Sequence, residues 1–177
     1  LLLVGSQSPF AGKGVVRKLL KWTNQQEEKV NLNINAIVKA CHNMSRSKTG
    51  ALIIIATDSE LKYHASTGVA LDSNLSAIFL ESIFFKNSPL HDGGVIIHNN
   101  RIKAAKCILP LSDNPDIPAQ FGLRHRAAVG LTENSPAIAL VVSEETGKIS
   151  FIEGTRFELD LSADQLREEL EKAIKEK

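Results

Sequence analysis

The sequence predicts a single α/β domain with a central mixed β-sheet flanked by helices. Three observations carry this. Gly50-Ala51-Leu52-Ile53-Ile54-Ile55-Ala56 is a continuous apolar run rich in β-branched residues, the pattern of a strand buried on both faces. Helical periodicities alternate with such runs, as in Ile34, Ile37, Val38, Cys41 and Met44. Asn99-Asn100 and Ser143-Glu144-Glu145-Thr146-Gly147 have the chemistry of hairpin turns, and hairpins inside a helix-flanked sheet make it mixed.

The chain divides near residue 30. Before it, Gly5, Gly12 and Gly14 interrupt the apolar residues, and Lys13, Arg17, Lys18 and Lys21 surround Val15-Val16, Leu19-Leu20 and Trp22. A short basic amphipathic helix over 15–22, suited to an anionic membrane face, competes here with a solvated linker helix. The start at Leu1-Leu2-Leu3-Val4, without an initiator Met, reads as the remnant of a longer upstream segment, tag removal being the alternative. Gly12-Lys13 is not a P-loop, because Gly14 stands where Ser or Thr is needed.

From 31 to 177 the elements follow in order. Asn33 or Asn31 caps a helix that ends in the polar Ser45–Thr49 stretch. The 50–56 strand leads to a turn at Thr57-Asp58-Ser59-Glu60. Residues 61–71 suggest one short strand and a loop at Gly68. Ser73 or Asn74 caps a helix whose apolar face is Leu75, Ile78, Phe79 and Ile83, with Pro89 marking its end. A buried strand at 95–98 turns at Asn99-Asn100 into a return strand from Arg101 to about Leu109. Residues 111–121, with Pro115 and Pro118, read as a mobile polar loop. Gly122 introduces a short helix over 123–130, followed by strands at Ala137–Val142 and Lys148–Ile152. Ser162 and Gln165 form a capping box, Leu161 and Leu166 a hydrophobic staple, and Leu166, Leu170 and Ile174 the buried stripe of the last helix.

Composition narrows the function. The 177 residues, 43% hydrophobic and 23% charged, suit one domain with a sizeable core. A net charge of +1 argues against a bulk nucleic-acid binder but leaves room for a local basic site. Cys41 and Cys107 have neither CxxC nor metal-type spacing and read as buried thiols in a reducing compartment. No run approaches the roughly 20 apolar residues of a membrane span, and there is no signal-peptide core.

Three polar clusters sit at strand ends or a helix start, where α/β domains place ligand sites. The first is His91-Asp92-Gly93, within Ser88-Pro89-Leu90-His91-Asp92-Gly93-Gly94. Its carboxylate and imidazole could hold Mg²⁺ or Mn²⁺, or take a proton from a sugar hydroxyl; an ordinary turn is the alternative. The second is Arg124-His125-Arg126 in a first helical turn, where guanidinium groups and free N–H groups attract phosphate. Successive helical residues point about 100° apart, so Arg124 and His125 can share one phosphate tail while Arg126 serves a neighbour or a structural pair. The third, Ser143-Glu144-Glu145, is equally ordinary hairpin chemistry, yet its hydroxyl and carboxylate could assist a metal–triphosphate. No GxSxG, HExxH or zinc spacing occurs, and phosphoryl or nucleotidyl transfer matches the clusters best.

Together these motifs resemble one family. Leu90-His91-Asp92-Gly93-Gly94-Val95-Ile96-Ile97 is similar to the Asp-Gly-Ala signature of the diadenylate cyclase domain, and Arg124-His125-Arg126-Ala127-Ala128 to its Arg-His-Arg signature. Leu109-Pro110-Leu111-Ser112 and Ser143-Glu144-Glu145-Thr146-Gly147 also match, in order, over roughly residues 30–160. The resemblance implies a nucleotidyltransferase that condenses two ATP into cyclic di-AMP and two pyrophosphates, where two domains meet face to face. It implies catalytic roles for Asp92, Gly93, Arg124, His125 and Arg126, with Asp92 activating the ribose 3′-hydroxyl and Gly93 letting the nucleotide approach the backbone. Leu109 would meet adenine, partly through main-chain hydrogen bonds, while Arg124, His125 and Ser143 hold the triphosphate, with the substrate-binding Glu144 close by. His91 and Asp92 would ligate Mg²⁺ or Mn²⁺. Gly94 replaces the usual Ala, and Leu123 replaces a usual Thr whose hydroxyl helps bind substrate. The basic N-terminal segment resembles the membrane-anchored branch, implying a soluble cyclase domain at the cytoplasmic face of the cell membrane. The rival readings are a catalytically weak ATP-binding sensor of the same fold and a phosphate-ester hydrolase.

Overall fold

The apolar run at 50–56 forms the middle of a seven-stranded sheet. The computed structural model describes residues 31–57 and 61–177. The basic helix expected at 15–22 and most of the turn expected at 57–60 lie outside the described residues. The elements are α1 (Ile34–Ser47), β1 (Ala51–Ile55), α2 (Lys62–Ser66), β2 (Val69–Asn74), α3 (Ala77–Phe84), β3 (Gly94–His98), β4 (Arg101–Cys107), α4 (Leu123–Thr132), β5 (Ile138–Val142), β6 (Ile149–Glu153), β7 (Arg156–Glu158) and α5 (Ala163–Lys175). The strand order is β2-β4-β3-β1-β5-β6-β7. Only β1 and β3 run parallel; each of the other neighbouring pairs is antiparallel, so the sheet is mixed as expected.

Alternation along β1 builds two cores. Ile53 and Ile55 face α1, α3 and α5, packing with Ile37, Cys41, Leu80, Phe84, Leu166 and Leu170. Leu52 and Ile54 face the other layer, packing with Ala127, Ala128 and Leu131 of α4 and with Leu61. Because both faces are covered, β1 and β5 carry apolar side chains at every position. The Asn33 side chain caps α1 by accepting from Ala36 N–H at 3.1 Å. Asn99 and Asn100 take φ of 47° and 60°, the left-handed pair that closes a two-residue hairpin. The Ser162–Gln165 capping box of α5 is present in both directions.

Four expectations change. Residues 62–66 are helical, and the strand after them runs on to Asn74 because Ser73 and Asn74 pair with Ile102 and Arg101. Ser73 and Asn74 therefore cannot cap α3; Ser76 does, accepting from Phe79 N–H at 3.3 Å. The inner face of α3 is Leu80, Ile83 and Phe84, while Ile78 is 74% exposed. The 111–121 loop is pinned: Ile117 and Phe121 are buried, and Ser112 Oγ donates to Glu133 at 2.7 Å. The strand β7 completes the sheet beyond β6.

Candidate active site

The parallel β1–β3 pair and their antiparallel neighbours bring four chain segments to one end of the sheet. Gly50 opens β1 and Asp92-Gly93 opens β3, beside the ends of β4 at Cys107 and β5 at Val142. The N-terminus of α4 lies over this end. All three polar clusters therefore converge, but two of the strands meet the site at their amino ends.

Asp92 is held by the turn that follows α3. Ser88 Oγ accepts from Leu90 N–H at 3.2 Å, and the Ser88 carbonyl accepts from His91 N–H at 3.3 Å and from His91 Nδ1 at 2.6 Å. A carbonyl only accepts, so Nδ1 carries a proton, and in the neutral ring Nε2 presents its lone pair. That lone pair lies 3.4 Å from Asp92 Oδ1, and the Asp92 side chain is 76% exposed. A nitrogen lone pair beside a carboxylate oxygen, with the other ring nitrogen fixed by a carbonyl, suits a shared cation. Among the described residues no group of three or more His, Cys, Asp or Glu forms a closed metal cage. The pair fits a hard divalent ion that takes its remaining ligands from phosphates and water.

Gly93 has φ of +84°, and a Cβ there would lie 2.6 Å from the Cys107 carbonyl oxygen. Its missing side chain makes room for β4, and the residue also lines the cavity beside Asp92. At Gly94 a Cβ would meet Leu109 Cδ1 at 2.9 Å, so the Leu109 side chain fills the space an Ala would claim.

Asp92, Gly93, Leu109, Leu123 and Arg124 line one open cavity of about 530 Å³. Leu123, Arg124, His125, Ser143 and Glu144 line a second of about 360 Å³. The two share Leu123 and Arg124, so the α4 N-terminus forms the ridge between them. Gly122 caps α4 without a side-chain bond, leaving the first-turn N–H groups for an anion. Arg126 lines neither cavity; its carbonyl accepts from Ser112 N–H at 3.0 Å, tying α4 to the segment after β4. It stands apart from Arg124 and His125, as the rotation of about 100° per helical residue requires.

Arg124 Nη1 donates to Glu144 Oε2 at 2.9 Å. Beneath this pair lies Gly50, where a Cβ would come 2.6 Å from Arg124 Nη1 and 2.9 Å from Glu144 Oε2. His125 stacks on Phe121, with centroids 4.4 Å apart, and its Nε2 lies 3.1 Å from Ser150 Oγ. Burial pushes the His125 imidazolium down to about 4, so the ring is neutral at pH 7 and acts as a hydrogen-bonding group rather than a cation. Ser143 Oγ accepts from the N–H groups of Glu145 and Thr146 at 3.3 and 3.2 Å, which holds the turn and leaves its hydroxyl proton for a ligand.

Sequence reasoning missed Gly50, Lys106 and Ser150. Gly50 gives no signal without the positions of Arg124 and Glu144. Lys106 lines the Asp92 cavity with φ of 56°, a bulge-like distortion near the end of β4. Ser150 was legible in part: a lone hydroxyl inside Ile149-Ser150-Phe151-Ile152 must find a buried partner.

The chain as a whole has counterparts among known proteins. Residues 38–157 match the family model described as DAC, DisA bacterial checkpoint controller nucleotide-binding. The chain is 42% identical over 149 residues to the cyclic di-AMP synthase CdaA of Bacillus subtilis (strain 168), covering 84% of this chain and 55% of that protein. It is 42% identical over 141 residues to a diadenylate cyclase of Listeria monocytogenes serotype 1/2a (strain 10403S), covering 80% and 52%. The chain thus spans about half the length of these curated relatives. A crystal structure of a cysteine double mutant of DacA from Staphylococcus aureus superposes with a TM-score of 0.77 at 42% identity, covering 84% of this chain and 97% of that one. A hypothetical membrane spanning protein from Bacillus cereus gives a TM-score of 0.69 at 42% identity, covering 72% and 63%. With the family model spanning residues 38–157 and so most of the sheet, the chain belongs to the DAC, or diadenylate cyclase domain, family.

Proposed function

We propose that residues 31–177 form a diadenylate cyclase domain that condenses two ATP into cyclic di-AMP and two pyrophosphates where two copies meet face to face. The observation that carries this is the joining of one exposed carboxylate, Asp92, to one anion grip at Arg124 across adjoining cavities. Each chain thus offers one base and one phosphate site, whereas the cyclic product needs two of each.

In this reading Arg124, the free N–H groups of α4, His125 and Ser143 hold the triphosphate of one ATP. The negative phosphates compete with Glu144 for Arg124, and the ion pair keeps the guanidinium in place until they arrive. Leu109 and Ile108 border the cavity on the adenine side, with Ile108 71% exposed. Asp92 accepts the proton of the ribose 3′-hydroxyl, whose oxygen attacks the α-phosphorus of the facing ATP as pyrophosphate leaves. The same step in the opposite sense closes the ring. His91 Nε2 and Asp92 would hold Mg²⁺ or Mn²⁺, which when bound neutralises phosphate charge and lowers the pKa of the hydroxyl.

The partner is a second copy of this chain. Val69, Ile108, Leu111 and Leu123, exposed by 44–73%, all line the Asp92 cavity, and a facing domain would cover them. Residues 1–30 would link the domain to a membrane anchor at the cytoplasmic face; among the described residues no helix is long and apolar enough to cross a membrane. The sensor reading draws on Leu123 alone, which is 73% exposed and presents no hydroxyl to either cavity. Incubation with ATP and Mg²⁺ or Mn²⁺, with the products separated chromatographically, tests the proposal. Cyclic di-AMP and pyrophosphate in a 1:2 ratio support it. AMP alone favours a hydrolase, and bound ATP without product favours the sensor.

A further inference from the structure

Ser150 is a buried hydroxyl that the reaction as described does not use. It lies on β6 with 3% exposure, and the one partner of its Oγ among the described residues is His125 Nε2 at 3.1 Å. The His125 ring is clamped on its face by Phe121, itself 6% exposed and held edge-on by Phe157 at 5.6 Å. His125 lines both the cavity beside Arg124 and a smaller one of about 270 Å³ toward Lys148 and Asp160.

A neutral imidazole has one N–H and one lone pair, and the partner of one nitrogen decides the role of the other. If His125 Nε2–H donated to Ser150, the buried Ser150 O–H would have no acceptor among the described residues. If Ser150 donates, its proton is satisfied and only hydroxyl lone pairs go unfilled, the cheaper arrangement. The ring proton then sits on Nδ1, which is not among the sealed, unpartnered atoms of the described residues. A neutral N–H donor suits a crowded polyphosphate, and it does not change charge near pH 7.

We propose that Ser150 is a positioning residue that holds His125 with its proton on Nδ1, making the ring a neutral N–H donor to the polyphosphate of the bound nucleotide. The proposal rests on the nucleotide reading given above and deepens it. The stacked Phe121 fixes the plane of the ring, and Ser150 fixes which nitrogen donates.

The first test needs no variant. Nitrogen-15 spectra of the histidine side chains in the ligand-free protein at pH 7 report the tautomer of His125. An unprotonated Nε2 and a protonated Nδ1 are expected; a protonated Nε2 overturns the proposal. The second test compares Ser150→Ala and Ser150→Thr by ATP binding calorimetry and by KM. Ser150→Ala should weaken ATP about fivefold to tenfold, as loss of one oriented donor to a charged group does, with kcat changed by less than about threefold. Ser150→Thr, which keeps the hydroxyl, should restore the tautomer and the affinity. Unchanged ATP affinity in Ser150→Ala overturns the proposal. A chain that binds ATP but makes no cyclic product counts against the cyclase reading and leaves both tests standing.

Discussion

Gly50→Ala separates the active site from the fold. A Cβ at Gly50 would lie 2.6 Å from Arg124 Nη1, 2.8 Å from Arg124 Cζ and 2.9 Å from Glu144 Oε2. Ordinary contact begins near about 3.5 Å, so the guanidinium must retreat by about 0.9 Å. All three neighbours are ends of flexible side chains, so the backbone need not move. The displaced ion pair is worth at most about 1 kcal/mol, because Glu144 is 64% exposed. Gly50 does not have a left-handed φ, so Ala also gains about 0.4–1 kcal/mol through the unfolded chain. The two effects nearly cancel, and Tm should stay within about 3 °C of the parent. A misplacement of about 1 Å in a group that orients the reacting phosphate costs up to about 100-fold in rate. The expected result is a loss of about 10- to 100-fold in kcat/KM for cyclic di-AMP formation, with a parental melting curve by circular dichroism. Activity within twofold of the parent would show that Arg124 does not act from the position seen here; a large fall in Tm would show that the backbone yields instead.

Gly93→Ala should fail in the opposite way: with φ of +84° and a backbone oxygen 2.6 Å from the new Cβ, it costs about 2–4 kcal/mol of stability, measurable by urea unfolding. His125 gives a pH signature. Its folded pKa of about 4 lies below the ordinary value of 6.5, so the unfolded chain takes up the proton first as the pH falls. Relative to His125→Gln, the parent should lose about 1–2 kcal/mol between pH 6.5 and about 4, allowing for partial exposure of the ring, and urea midpoints across that range measure it. Burial pushes the thiols of Cys41 to about 12 and Cys107 to about 11, so neither should react with a disulfide reagent at pH 8 until urea unfolds the chain.

What the sequence made legible follows from how local each signal is. The cap at Asn33, the Asn99-Asn100 turn and the Ser162–Gln165 box depend on a few adjacent residues, and all three formed. The inner face of α3 was not legible because Ala77-Ile78-Phe79-Leu80 and Ile83-Phe84-Phe85 are apolar nearly all round, so period alone cannot choose a side. Helix α2 and strand β7 are five and three residues long, too short for a periodic signal, and β7 owes its pairing to β6. At the site, the charged clusters were visible as motifs. The contacts that seat them were not: Gly50 under Arg124, Gly93 against Cys107, and Ser150 behind His125 join residues distant in sequence.

The most direct test of the face-to-face cyclase is its order in protein. Initial rates of cyclic di-AMP formation would be measured over a range of dilute enzyme concentrations, alone and with increasing Asp92→Asn chain added. If two copies each supply one carboxylate, the rate rises with the square of concentration, and the added variant suppresses it by forming pairs able to make only one of the two bonds. A rate strictly proportional to enzyme, untouched by the variant, would contradict the account.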